Sequence, residues 1–265
     1  MINLPEYLIE AWGLGTFMVS AGVFATLIYT DVANIPILIP NAFLRDIIMG
    51  IITGITAISI IYSPWGKRSG AHLNPAVTIT FFRLGKLTKT DAFFYCLFQF
   101  LGGILGVYLV ALVFGSPFVS LPPEGLNYIV TQPGKAGPIG AIITEIVIAY
   151  IMMTMVLIVS NNRKFGHLTG LFAGILVTFY VIFAAPYSGF SMNPARSFAS
   201  AFLANWWNFY WIYYFVPPLS MLVAAEVYLW FTRDSSKNIC GKLCPNNQTP
   251  CLCQNPCDVC CPFKE

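Results

Sequence analysis

Polar and apolar positions along this chain sort into long apolar blocks joined by short polar stretches. The blocks fall at about residues 7–29, 43–63, 92–114, 139–159, 168–185 and 209–231. Each is close to the ~20 residues that an α-helix needs to cross a bilayer core, so the pattern predicts six spanning helices. Two shorter stretches between the blocks nearly match each other. One reads Ser69-Gly70-Ala71-His72-Leu73-Asn74-Pro75-Ala76-Val77-Thr78, the other Ser188-Gly189-Phe190-Ser191-Met192-Asn193-Pro194-Ala195-Arg196-Ser197. Asn is a good helix N-cap and Pro suits the first helical position, so each stretch reads as extended backbone entering a short helix. Interrupted helices at matching places in two halves point to a pore or binding site at the membrane midplane.

Composition agrees. The 265 residues are 57% hydrophobic and 9% charged, which is membrane composition. The net charge of +3 is spread over loops and forms no patch for nucleic acid. The first block lacks a basic leader and an obvious cleavage site, so it is expected to be a span and not a removed signal peptide. Lys67, Arg68, Arg83, Lys86 and Lys89 lie between blocks two and three, Arg163 and Lys164 between four and five, and Arg233, Lys237, Lys242 and Lys264 after block six. The opposite loops hold only Arg45, Lys135 and Arg196. The positive-inside rule then places both termini in the cytoplasm.

Glu10 in the first span and Glu145 in the fourth sit where a carboxylate is costly, so each needs a partner inside the bundle. Each precedes one Asn-Pro motif, which divides the chain into repeat one, about 5–115, and repeat two, about 137–232. Three spans per half invert the topology of the second half. The two carboxylates read as supports for the backbone ahead of the short helices, or as snorkelling residues near span ends. Gly50 and Gly54, and Gly170 and Gly174, are small-xxx-small pairs, so the second and fifth spans are expected to cross closely.

Two Asn-Pro-Ala motifs, in Ser-Gly-Ala-His-x-Asn-Pro-Ala-Val-Thr and Asn-Pro-Ala-Arg-Ser contexts, give residues 5 to 232 a resemblance to the aquaporin (major intrinsic protein) family. That resemblance implies an all-α membrane protein: six transmembrane helices plus two half-helices meeting at the midplane, as an inverted repeat. It implies a channel domain over 1–232, a homotetramer in the cell membrane and no enzyme activity. Half-helix N-termini carry about half a positive charge each and repel cations at the pore centre. Asn74 and Asn193 would offer N–H groups to a solute oxygen. His72 either faces the pore or fixes its loop by hydrogen bonding.

The resemblance also implies an outer constriction of four positions, carried over by offset from the two Asn residues: Gly54, Val181, Phe190 and Arg196. Gly and Val stand where water-selective members carry Phe and His. Phe190 matches glycerol-conducting members, but Ser197 follows the Arg where those usually carry Asp. The filter reads as wide and apolar, with Arg196 its strong donor; Gly54 has a competing role in helix packing. The expected function is a passive channel for water and small uncharged solutes, from glycerol-sized polyols to urea or metalloid hydroxides, closed to ions and protons. A strictly water-selective channel is the alternative, and a metalloid channel regulated by its tail is another.

That tail, 233–265, is polar and carries Cys240, Cys244, Cys251, Cys253, Cys257, Cys260 and Cys261. In a cytoplasmic setting the thiols stay reduced, and clustered thiolates suit Zn²⁺ or another soft metal or metalloid. The spacing fits no standard zinc module; S-acylation of Cys240 and Cys244, or a plain tail, are the other readings. No other cofactor is expected.

Overall fold

The computed structural model describes residues 3–232, 239–246 and 249. Among them the regular structure is helical, with no strand. The six long helices are α1 (Leu4–Tyr29), α2 (Ala42–Tyr62), α4 (Lys89–Phe114), α5 (Gly137–Ser160), α6 (Gly166–Ser188) and α8 (Tyr210–Thr232), each long and apolar enough to cross a membrane. Two short helices lie between them: α3 (Pro75–Arg83) and α7 (Pro194–Ala204). α1 and α4 begin three residues earlier than their apolar blocks. Their polar first turns are held together, because Asp91 accepts from Tyr7 Oη at 2.6 Å and from Asn3 Nδ2 at 2.8 Å.

The packing repeats with the sequence. α1 lies on α4 and α5 on α8, while α2 crosses α6 in the middle. Each short helix packs against the last long helix of the other half, α3 on α8 and α7 on α4. Neither half can therefore bury its own short helix alone. The central crossing is very close. A Cβ placed on Gly54 would sit 2.6 Å from the Gly174 carbonyl oxygen, and one on Gly174 would sit 2.7 Å from that of Gly54. With no hydrophobic drive between helices in lipid, such backbone proximity is what lets them associate. α6 departs from α-helical winding at Tyr180–Ala184, where it opens into a π turn. Such turns often sit at functional sites.

Candidate pore

Two arches of non-helical backbone meet between the halves. Gly70 and Gly189 leave a preceding helical turn at φ +97° and +76°. Ala71 and Phe190 follow at +53° and +47°, and Leu73 and Met192 at +51° and +54°. Counted back from Asn74 and Asn193, the positions are identical. Left-handed non-glycine residues cost of order 1–3 kcal/mol each and persist only where the surroundings dictate them. Here a carboxylate does so in each half. Glu10 accepts from Ser69 Oγ at 2.7 Å, from the backbone N–H groups of His72 at 3.1 Å and Leu73 at 2.6 Å, and from Gln99 Nε2 at 2.7 Å. Glu145 accepts from Ser188 Oγ at 2.7 Å and from the N–H groups of Ser191 at 3.0 Å and Met192 at 2.7 Å. Both carboxylates are fully buried. The geometry fits supports of the arches; neither Glu is at a span surface.

Each arch ends in a capped helix. Asn74 Oδ1 accepts from the Ala76 N–H, and Asn193 Oδ1 from those of Ala195 and Arg196. The other end of each amide crosses to the opposite half: Asn74 Nδ2 donates to the Met192 carbonyl and Asn193 Nδ2 to the Leu73 carbonyl. An amide nitrogen has two protons, so one per Asn is committed to the partner half. The second proton of each amide is the one left to offer a solute oxygen. His72 is buried and bonded on both ring nitrogens, to Thr78 Oγ1 at 3.2 Å and to the Gly241 carbonyl at 3.0 Å.

Two cavities flank the arches. The outer one, about 420 Å³, is walled by Tyr29, Asp46, Met49, Thr53, Lys135, Val181 and Gly189 among others. The inner one, about 100 Å³, is walled by Ala71, His72, Leu73, both motif Asn residues, Ser191, Met192 and Leu243 among others. Phe17, Phe190 and Arg196 line both, so they form the partition between them. Arg196 Nη1 donates to the Ile129 carbonyl at 3.3 Å. A hydroxyl chain fixes the same corner, with Ser197 Oγ 2.5 Å from both Thr131 Oγ1 and Ser191 Oγ.

Of the four filter positions expected from sequence, Val181, Phe190 and Arg196 reach the outer cavity, and Val181 does so from the π turn. Gly54 is corrected. It faces Gly174 and Thr178 in the helix crossing, and the wall beside it is Thr53. The offset fails by one residue, because Thr53, not Gly54, is the position of α2 turned to the cavity. The Thr53 hydroxyl donates to the Met49 carbonyl at 2.7 Å, which leaves its oxygen as an acceptor. A hydroxyl in an otherwise apolar run was the available sequence sign. Phe17, Asp46 and Lys135 were also missed; nothing in their local sequence marks them.

Cys240 and Cys244 are buried, in a segment whose Leu243 lines the inner cavity, so this part of the 233–265 tail packs against the channel. Cys251, Cys253, Cys257, Cys260 and Cys261 lie outside the described residues. Among the described residues no three His, Cys, Asp or Glu side chains are grouped as metal ligands.

Inverted repeats, half-helices and a partition between two cavities define a multi-pass membrane protein of the aquaporin architecture. Residues 11–228 match the model of the major intrinsic protein family, and the chain belongs to that family. It is 33% identical over 180 residues to Aquaporin NIP1-2 of Arabidopsis thaliana, covering 68% of this chain and 61% of that protein. It is 34% identical over 177 residues to a probable NIP-type aquaporin of Nicotiana alata, covering 66% of this chain and 62% of that protein. The matches thus span about three fifths of the length of these curated relatives. A solved structure, the aquaglyceroporin from Plasmodium falciparum, shares the fold with a TM-score of 0.69 at 21% identity, covering 86% of this chain and 96% of that one.

Proposed function

We propose that the chain is a passive channel for water and small uncharged solutes, up to glycerol-sized polyols, that excludes ions and protons. The partition of Phe17, Phe190 and Arg196 between the two cavities carries this reading. It sets one fixed cation and two rings between the cavities, beside two half-helix N-termini whose dipoles also repel cations. A bare ion would trade its hydration there for apolar wall and like charge; a neutral polyol has hydroxyls for Arg196 and carbon for the rings. Thr53 and Val181 are small, which favours solutes larger than water over strict water selectivity. We extend the reading to a homotetramer in the cell membrane with both termini cytoplasmic, supported by the family and the basic loops, and to a soft-metal or metalloid site on the tail thiols.

Stopped-flow swelling of proteoliposomes with water, glycerol, urea, boric acid and arsenous acid tests it. Water and glycerol should both pass, with no proton current. Water without glycerol would establish the water-selective alternative, and a proton current would overturn the exclusion.

A further inference from the structure

The segment after α8 returns beneath the arches. Ile239, Cys240, Lys242, Leu243 and Cys244 are all buried, Ile239 and Cys240 at 0% exposure. Leu243 closes the floor of the inner cavity, opposite the two motif Asn residues. Its N–H donates to the Gly70 carbonyl at 3.0 Å, the first carbonyl of the first arch. Gly241 accepts from His72 Nε2, which fixes that nitrogen as the N–H bearer and leaves Nδ1 to accept from the Thr78 hydroxyl. Thr78 in turn accepts from Gln99 Nε2, which also donates to Glu10. The segment is thereby wired to the carboxylate that shapes the arch.

Its ends are held by other parts of the channel. The Cys240 N–H donates to Asn161 Oδ1 at 2.7 Å, at the end of α5. Asn246 Nδ2 donates to the Lys67 carbonyl at 3.2 Å, beside the first arch. A strap that merely tidied the cytoplasmic surface could use outward-facing groups. This one takes a ring nitrogen on the inner cavity wall and the first carbonyl of the arch, groups that a water file entering from that side would use, and fills the opening with a leucine. A file of water needs continuous hydrogen-bonding partners and room, and the seated segment removes both.

We propose that residues 239–246 are an autoinhibitory plug of the cytoplasmic mouth, and that the pore conducts freely only when they withdraw. The inference rests on the reading of this chain as a channel. The described bonds that seat the plug are hydrogen bonds, so its release is a population shift, and any binder that prefers the withdrawn segment will open the pore in proportion to that preference. The two thiols are buried only while the plug is seated, so their accessibility reports its position. Burial also pushes the Cys244 thiol up, with Lys67 and Lys242 partly offsetting it, which keeps the seated thiol slow to react.

The test uses the full chain in proteoliposomes beside two full-length variants, Leu243→Glu and Asn161→Ala. The first puts a charge where the leucine closes the floor; the second removes an anchor without touching the segment. Water permeability per channel and the rate of maleimide labelling at Cys240 and Cys244, located by peptide mass spectrometry, are read together. The plug predicts a tenfold or larger rise in permeability for Leu243→Glu, a smaller rise for Asn161→Ala, and faster labelling in the same order. Equal, non-zero permeability in all three proteins overturns the plug and leaves the channel reading intact, whatever the labelling shows. No conduction by any of them overturns the channel reading and the plug with it.

Discussion

The Asn74 side chain donates to the Met192 carbonyl at 2.8 Å, across the boundary between the two repeats. The Asn193 side chain returns the bond to the Leu73 carbonyl at 2.7 Å. Each acceptor is the left-handed residue that ends the opposite arch. The centre is therefore a joint between the halves, and each Asn side chain both caps its own short helix and ties it to the opposite arch.

The first prediction separates the two duties. Asn74→Ser keeps an N-cap oxygen for Ala76 but cannot reach Met192; Asn74→Ala loses both. An orphaned buried carbonyl costs about 1–3 kcal/mol and a lost cap about 1 kcal/mol. Thermal unfolding in detergent should rank the parent above Asn74→Ser, and Asn74→Ser above Asn74→Ala. Equal melting of Asn74→Ser and the parent would mean that the cross-bond contributes nothing.

The second prediction concerns neighbouring residues of α2. Gly54→Ala drives a methyl to 2.6 Å from the Gly174 carbonyl and closer still to the Thr178 hydroxyl, so it should lower folded yield on size exclusion. Thr53→Phe instead fills the outer cavity and should cut glycerol permeation far more than water permeation in a protein of normal yield. If the two phenotypes are exchanged, Gly54 lines the pore after all.

That pair marks what the sequence could and could not tell. Six spans, two capped short helices and the close crossing at the glycine pairs follow from apolar length, Asn-Pro capping and residue size, all local properties. The filter wall does not. Whether Gly54 or Thr53 faces the pore depends on a single residue of helical register, about 100° of rotation, set by how α2 packs across α6. The return of Ile239–Asn246 was equally hidden. Its bonds to His72, Gly70 and Lys67 join residues far apart in the chain, and nothing in an isolated Cys-Gly-Lys-Leu-Cys run announces a binding surface.

A third prediction tests the arches. Removing the Glu145 carboxylate orphans Ser188 Oγ and the N–H groups of Ser191 and Met192, at about 1–3 kcal/mol each, while three left-handed residues remain to be held. Glu145→Ala should give little folded protein. Glu145→Gln keeps one acceptor oxygen but turns an NH₂ toward donors, so it should fold with a lower melting temperature and reduced permeability. A Glu145→Ala channel of parental stability would show that the second arch holds its shape without the carboxylate.

The fourth prediction is that Arg196→Val folds but admits protons or small cations. Among the described residues its side chain is anchored to the Ile129 carbonyl, on the outer loop, so little of the fold hangs on it. Its charge sits beside the half-helix ends, where low dielectric magnifies repulsion of a cation. Proton flux in liposomes under a pH gradient is the readout. A variant as proton-tight as the parent would leave exclusion to the half-helix dipoles alone.

The last prediction joins the tail thiols to the plug. A soft ion such as Zn²⁺ needs three or four ligands around it, and neither Cys240 nor Cys244 can offer its thiolate while packed at the inner mouth. Any Zn²⁺ site that uses them must wait for withdrawal, so its apparent affinity is lowered by the fraction of time the segment is free. Leu243→Glu raises that fraction without adding or removing a cysteine. The reduced full-length variant should therefore bind Zn²⁺ at least tenfold more tightly than the reduced parent, in competition with a chromogenic chelator, and Zn²⁺ should raise the parent's water permeability. By linkage the two effects have the same origin and should vanish together in a Cys240→Ser, Cys244→Ser double variant. Equal affinities in parent and Leu243→Glu would place any metal site away from these two thiols, and no binding to either would remove the metal from the tail.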